Sequence, residues 1–101
     1  MHQTVAILGF EPALQSSLSS LLGSEPGLQI VNQDLNSPDI LLIAPPNPDW
    51  VLELHRRFPR ARVVAVLEWH RRDQFAEAPI DEYVDSLAGY RSLVKQILAS
   101  D

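Results

Sequence analysis

Four consecutive apolar residues, Ile40–Ile43, stand between Pro38-Asp39 and a segment holding Pro45, Pro46 and Pro48. A run this short, closed by prolines on both sides, predicts a strand buried on both faces, as in the middle of a parallel sheet. In open parallel sheets, ligands and reacting groups lie just beyond the carboxyl ends of the strands. Residues 44–48 are therefore where chemistry is expected, and they read Ala-Pro-Pro-Asn-Pro.

The blocks on either side repeat strand and helix patterns. Residues 4–8 (Thr-Val-Ala-Ile-Leu) form a β-branched, apolar run that Gly9 ends, the first strand. Pro12 suits the first turn of a helix, and Ala13, Leu14, Leu18, Leu21 and Leu22 make one stripe at helical period. Gly23 stops that helix, and residues 28–31 give a second short strand. After the central strand, Asn47 can cap a helix with Pro48 in its first position. Its buried face is Trp50, Val51, Leu54 and Phe58. Residues 61–67 predict a fourth strand, residues 70–78 a short or irregular helix, and residues 80–85 a fifth strand. Ser86 is the expected cap of a last helix burying Leu87, Tyr90, Val94, Ile97 and Leu98. Five strands alternating with helices predict an α/β fold, a three-layer sandwich on a five-stranded parallel sheet of flavodoxin-like order 2-1-3-4-5.

Composition narrows the chemistry. A chain of 101 residues is expected to form a single domain, residues 1–101. With no cysteine, it has no thiol nucleophile, thiolate metal site or disulfide. The apolar runs are short and the first residues, Met-His-Gln-Thr, lack a signal-peptide pattern, so the expected location is cytoplasmic, with no membrane partner. A net charge of -5 argues against general nucleic-acid binding. Residues 1–54 contain no Lys or Arg, however, and six of the eight basic residues fall in residues 55–72: Arg56, Arg57, Arg60, Arg62, Arg71 and Arg72.

The succession Val-Ala-Ile-Leu-Gly-Phe-Glu-Pro, Pro-Asp-Ile-Leu-Leu-Ile-Ala-Pro-Pro-Asn-Pro, Ala-Arg-Val-Val-Ala-Val-Leu and Asp-Glu-Tyr-Val-Asp-Ser-Leu resembles the receiver domain of two-component response regulators over almost the whole chain. In that family a pair of acids after strand one binds magnesium and an aspartate ending strand three takes the phosphoryl group. A Ser or Thr ends strand four and a Lys ends strand five. Matching the prolines puts Gly9 and Phe10 at the acid positions and Ala44 at the acceptor position. The hydroxyl position falls on Leu67 or Glu68, and the lysine position on Asp85 or Ser86. The resemblance thus implies a degenerate member, a pseudo-receiver without the phosphoacceptor Asp, its charge-stabilising groups missing as well as its nucleophile. Many response regulators continue into a DNA-binding domain where this chain ends, so the implied setting is the regulatory domain of a bacterial transcription regulator.

Receivers also place a whole helix between strands two and three. Here residues 32–38 connect them, a reach of roughly 23 Å against a path of about 20 Å, so the second helix is missing or very short. An uncovered sheet face would expose apolar residues of the central strand, and such patches mark interaction sites. Ile40 and Leu42, with Leu35 from the link, are the expected contact residues for a second copy or a partner protein. Trp69, Arg56, Arg57, Arg71 and Arg72 are further candidates, directed at an acidic protein surface. Trp50 is expected in the core and Trp69 in an exposed loop.

Alternative chemistry is thin. Glu11, Glu68 and Asp85 fall at carboxyl ends of strands and are weak candidates for a hard cation, the basis of an alternative reading as a small-ligand- or cation-binding flavodoxin-like domain. His2, His55 and His70 lack ligand or triad spacing, and Gly9, Gly23, Gly27 and Gly89 form no phosphate loop, so no cofactor or nucleotide is expected. The expectation is a non-enzymatic signalling module that acts by protein contact or dimerisation, independently of phosphorylation.

Overall fold

The computed structural model describes residues 3–31 and 37–98. Five strands, β1 (Gln3–Leu8), β2 (Leu28–Ile30), β3 (Ile40–Ile43), β4 (Arg62–Leu67) and β5 (Glu82–Asp85), form one sheet of order β2-β1-β3-β4-β5, and every pair is parallel. The helices are α1 (Pro12–Gly23), α2 (Pro48–Arg57) and α3 (Tyr90–Leu98), with a 3-10 helical segment at Trp69–Phe75 between β4 and β5. The expected three-layer sandwich and strand order are observed.

The parallel sheet is covered on both sides because alternate residues of each inner strand feed separate cores. Val5, Ile7, Ile40, Leu42, Val64 and Val84 pack with Leu18 and Leu22 of α1 and Leu93 and Ile97 of α3. On the other side Ala6, Leu41, Ile43, Val63, Ala65 and Leu67 pack with Val51 and Leu54 of α2 and with Phe75. All four residues of β3 are buried, as its position at the centre of the sheet requires.

Ile40 and Leu42 are therefore not surface residues. They are 1% and 0% exposed beneath α1 and α3, which corrects the expectation that they form a contact patch. Leu35 and most of the β2–β3 link, along with His2, lie outside the described residues. The sheet side opposite α1 needs little apolar cover at its β1–β2 end, where the paired positions are the half-buried Thr4 and the exposed Gln29. Thr4 is held by Asp39: its amide donates to Oδ2 at 2.9 Å and its hydroxyl to the same oxygen at 3.1 Å. The Asp39 amide donates back to Thr4 Oγ1 at 2.9 Å. Asp81 repeats the device at the β4–β5 pair, its Oδ2 accepting the Val63 amide at 2.8 Å.

Local signals set most boundaries. Asn47 caps α2, its Oδ1 accepting the Trp50 amide at 2.9 Å, with Pro48 in the first turn as expected. Gly23 is the last residue of α1, and the turn is closed by Ser24, whose Oγ donates to the Leu21 carbonyl at 2.7 Å. The last helix starts later than expected. Asp85 Oδ1 accepts the Leu87 amide and its carbonyl accepts the Ala88 amide, so residues 85–88 form a turn and α3 begins only after Gly89. Leu87 consequently leaves the core, and Leu93, absent from the predicted stripe, enters it.

Candidate functional site

The parallel sheet brings the ends of β1, β3, β4 and β5 together at one pole, where the sequence directed attention. Gly9 follows β1 and Ala44 follows β3, and the Ala44 amide donates to the Leu8 carbonyl at 3.0 Å. Gly9 adopts φ +85°, a conformation that glycine tolerates and side-chain-bearing residues rarely adopt. A Cβ at Gly9 would stand 2.5 Å from the Ala44 carbonyl oxygen and 3.2 Å from Cη2 of the Trp50 ring. The two strand ends thus touch through backbone, with the half-buried Trp50 indole alongside. Phe10 does not project a polar group into this place, since it packs against the core under α1.

The remaining positions are equally spare. Leu67 is buried in the α2-side core. Glu68 is exposed and its Oε2 lies 3.3 Å from His70 Nε2. Asp85 is half-buried and engaged in its own turn. No group of three or more His, Cys, Asp or Glu suited to a metal ion occurs among the described residues. Glu68 and Asp85 line one recess, but Glu11 is not among its walls, so the three do not form the group on which the cation reading was built. The physical reason is that each carboxylate is carried by a separate loop: Glu11 is exposed at the start of α1, and Asp85 is folded back onto Leu87.

Arginine and aromatic side chains occupy the flank instead. Arg71 Nη2 donates to the Pro46 carbonyl at 3.2 Å, tying the 3-10 segment to the loop after β3. Arg72 lies over the Trp69 ring at 4.1 Å, and Trp69 is exposed, as expected. A recess of about 310 Å³ next to them is lined by Glu68, Trp69, His70, Asp85, Ser86 and Leu87. Arg56 pairs with Glu53 at 2.9 Å and Arg62 with Glu82 at 3.3 Å, at the opposite pole of the sheet. Arg62 also donates to the Gln96 carbonyl, so it serves to hold α3. The six clustered arginines of the sequence therefore divide between two ends of the molecule and make no single stripe.

Sequence reasoning missed one surface. Leu14 and Leu21, assigned to the buried stripe of α1, are about half exposed, and Leu87 is almost fully exposed. Leu14 and Leu21 border a groove between α1 and the β5–α3 turn. The signal available was the width of the apolar stripe: five residues were assigned to a face on which the described fold buries two, Leu18 and Leu22.

This architecture defines a receiver-like fold, an α/β sandwich on a parallel sheet of order 2-1-3-4-5. No family model and no curated protein matches the chain. Solved structures do. A LuxR-family two-component response regulator from Aurantimonas sp. superposes with TM-score 0.81 at 16% identity, over 98% of this chain and 84% of that one. The N-terminal signal receiver domain of a two-component response regulator from Bacteroides fragilis gives TM-score 0.77 at 14% identity, over 98% and 96%. An adenylate cyclase structure from Rhodopirellula baltica gives 0.80 at 8% identity, over 98% and 87%. Identities this low establish a shared fold, and function has to be argued from the site. No helix among the described residues is long and apolar enough to cross a membrane.

Proposed function

We propose that this chain is a receiver-like signalling module that accepts no phosphoryl group and works by protein contact, as the regulatory part of a bacterial signalling or transcription system. The observation that carries this reading is the direct approach of Gly9 to Ala44 beside Trp50. Phosphoryl transfer is catalysed almost entirely by positioning and charge stabilisation, supplied by a metal and fixed cations around an acceptor oxygen. At this pole the two strand ends supply glycine and alanine, and indole carbon stands alongside them. A domain that keeps the receiver architecture without those groups retains its surfaces as means of signalling. It is not an enzyme on this reading, and it needs no nucleotide, metal or membrane. Nucleic acid contact through this domain is disfavoured by its net charge of -5 and its divided arginines.

The test is incubation of the purified chain with acetyl phosphate and magnesium, followed by intact-mass measurement. The unmodified mass alone is expected, under conditions in which a known receiver is phosphorylated in parallel. A phosphoryl adduct on this chain sinks the proposal.

A further inference from the structure

The groove between α1 and the β5–α3 turn, about 250 Å³, is lined mainly by carbon, with Phe10, Leu14, Leu18, Leu21, Val84 and Leu93 among its walls. Two of its walls stand open, Leu14 at 48% exposed and Leu21 at 47%, and Leu87, at a recess that shares Asp85 and Ser86 with the groove, is 90% exposed. Large side chains rarely stand this open in a group unless they are covered by something.

Charge identifies the cover. From Pro12 to Ser24 the chain has no ionisable side chain, on a protein in which 21% of residues are charged. A two-fold interface sets a surface patch against itself, so any charge near its axis meets its own like charge. The outer face of α1 carries no such penalty. Asp85 is the one ionisable residue lining the groove among the described residues, and its Oδ1 already accepts the Leu87 amide at 3.0 Å. Spacing agrees. Exposed Ser17 lies three residues after Leu14 and four before Leu21, so the three share one side of the helix. Two α1 helices crossing antiparallel at Ser17 would set each Leu14 against the partner's Leu21, with the small serine allowing close approach at the centre.

We infer that the α1 groove is a self-association surface, occupied by α1 of a second copy of this chain in an antiparallel, two-fold arrangement centred on Ser17. This deepens the contact-module reading by naming the contact, and the two fail separately: a phosphoryl adduct would remove that reading and leave this surface untouched. One short helix and its groove cover less than the roughly 800 Å² per partner of a standard interface, so the dimer is weak and concentration-dependent.

Sedimentation velocity over a wide concentration series tests it. The full chain is expected to move toward twice the monomer mass as concentration rises. Leu14→Glu and Leu21→Glu, both at half-exposed positions, are expected to abolish that shift while far-UV circular dichroism stays unchanged. A second readout does not depend on weakening the contact. The chain has no cysteine, so Ser17→Cys introduces a single thiol at the proposed axis. Helices packed about 8–10 Å apart bring facing Cα atoms within about 5 Å, inside disulfide reach. Mild oxidation should then yield a covalent dimer from Ser17→Cys and none from Arg56→Cys at the opposite pole. A monomer at every concentration with no Ser17→Cys dimer overturns the inference. So does a dimer that survives both glutamate substitutions.

Discussion

Gly9 leaves β1 at φ +85° with its backbone against Ala44, and both features exclude a side chain. The left-handed region costs a side-chain-bearing residue about 1–2 kcal/mol, and here the added Cβ would also meet a carbonyl oxygen at 2.5 Å. Backbone cannot swing aside as a flexible side chain does, so β1 or β3 would have to shift at its end. Gly9→Ala is therefore expected to destabilise by more than the conformational cost alone, read as a lower urea midpoint with an unchanged slope. Gly27, at φ +90° with open space around it, should show only the conformational part. A Gly9→Ala variant as stable as the parent would mean that the two strand ends do not meet as described.

At the scale of elements, α1 separates what the sequence pattern can and cannot specify. Helical period places Leu21 and Leu22 in one stripe, yet Leu22 is fully buried and Leu21 is half exposed. Leu22→Ala should cost about 2–5 kcal/mol, as buried leucine truncations do. Leu21→Ala, measured at low protein concentration, should stay within about 0.5 kcal/mol. Equal losses in urea denaturation would show that α1 is rotated from the position described. The strands were legible because short apolar runs between Pro, Gly and Asp have few alternatives, and Asn47-Pro48 marked the start of α2 in the chain itself. The start of α3 was not legible, because Ser86 is as good a cap by residue type as any, and only the pairing of Asp85 with Leu87 turns the chain once more first. The crevice was legible in its residue types, Gly9 and Ala44, but not in its closure, which depends on a φ angle and on where Trp50 lies. The expected apolar patch failed for a reason already written in the strands. Thr4 and Gln29, the paired positions on that side of β1 and β2, are polar, so that end of the sheet face did not have to be hydrophobic.

For the molecule as a whole, the proposal that this chain accepts no phosphoryl group implies that no single replacement should confer one, because receiver chemistry depends on several strand ends acting at one point. Ala44→Asp supplies an acceptor at the end of β3, but with Gly9 and Phe10 after β1 it has no acid pair beside it. The end of β5 offers no lysine either, as Asp85 ends the strand and Ser86 follows. Like charge from Asp85 would oppose any gathering of negative charge at this pole, and Arg71, which is tied to the β3 loop, is engaged with the Pro46 carbonyl. Ala44 is half-buried, so an unpaired carboxylate there is expected to cost about 1–3 kcal/mol of stability. Ala44→Asp should therefore unfold at lower urea and still show only its unmodified mass after acetyl phosphate and magnesium. An adduct on that variant would mean that the receiver pocket is intact apart from its nucleophile, and the closure of Gly9 against Ala44 would then be a contact the chain can open.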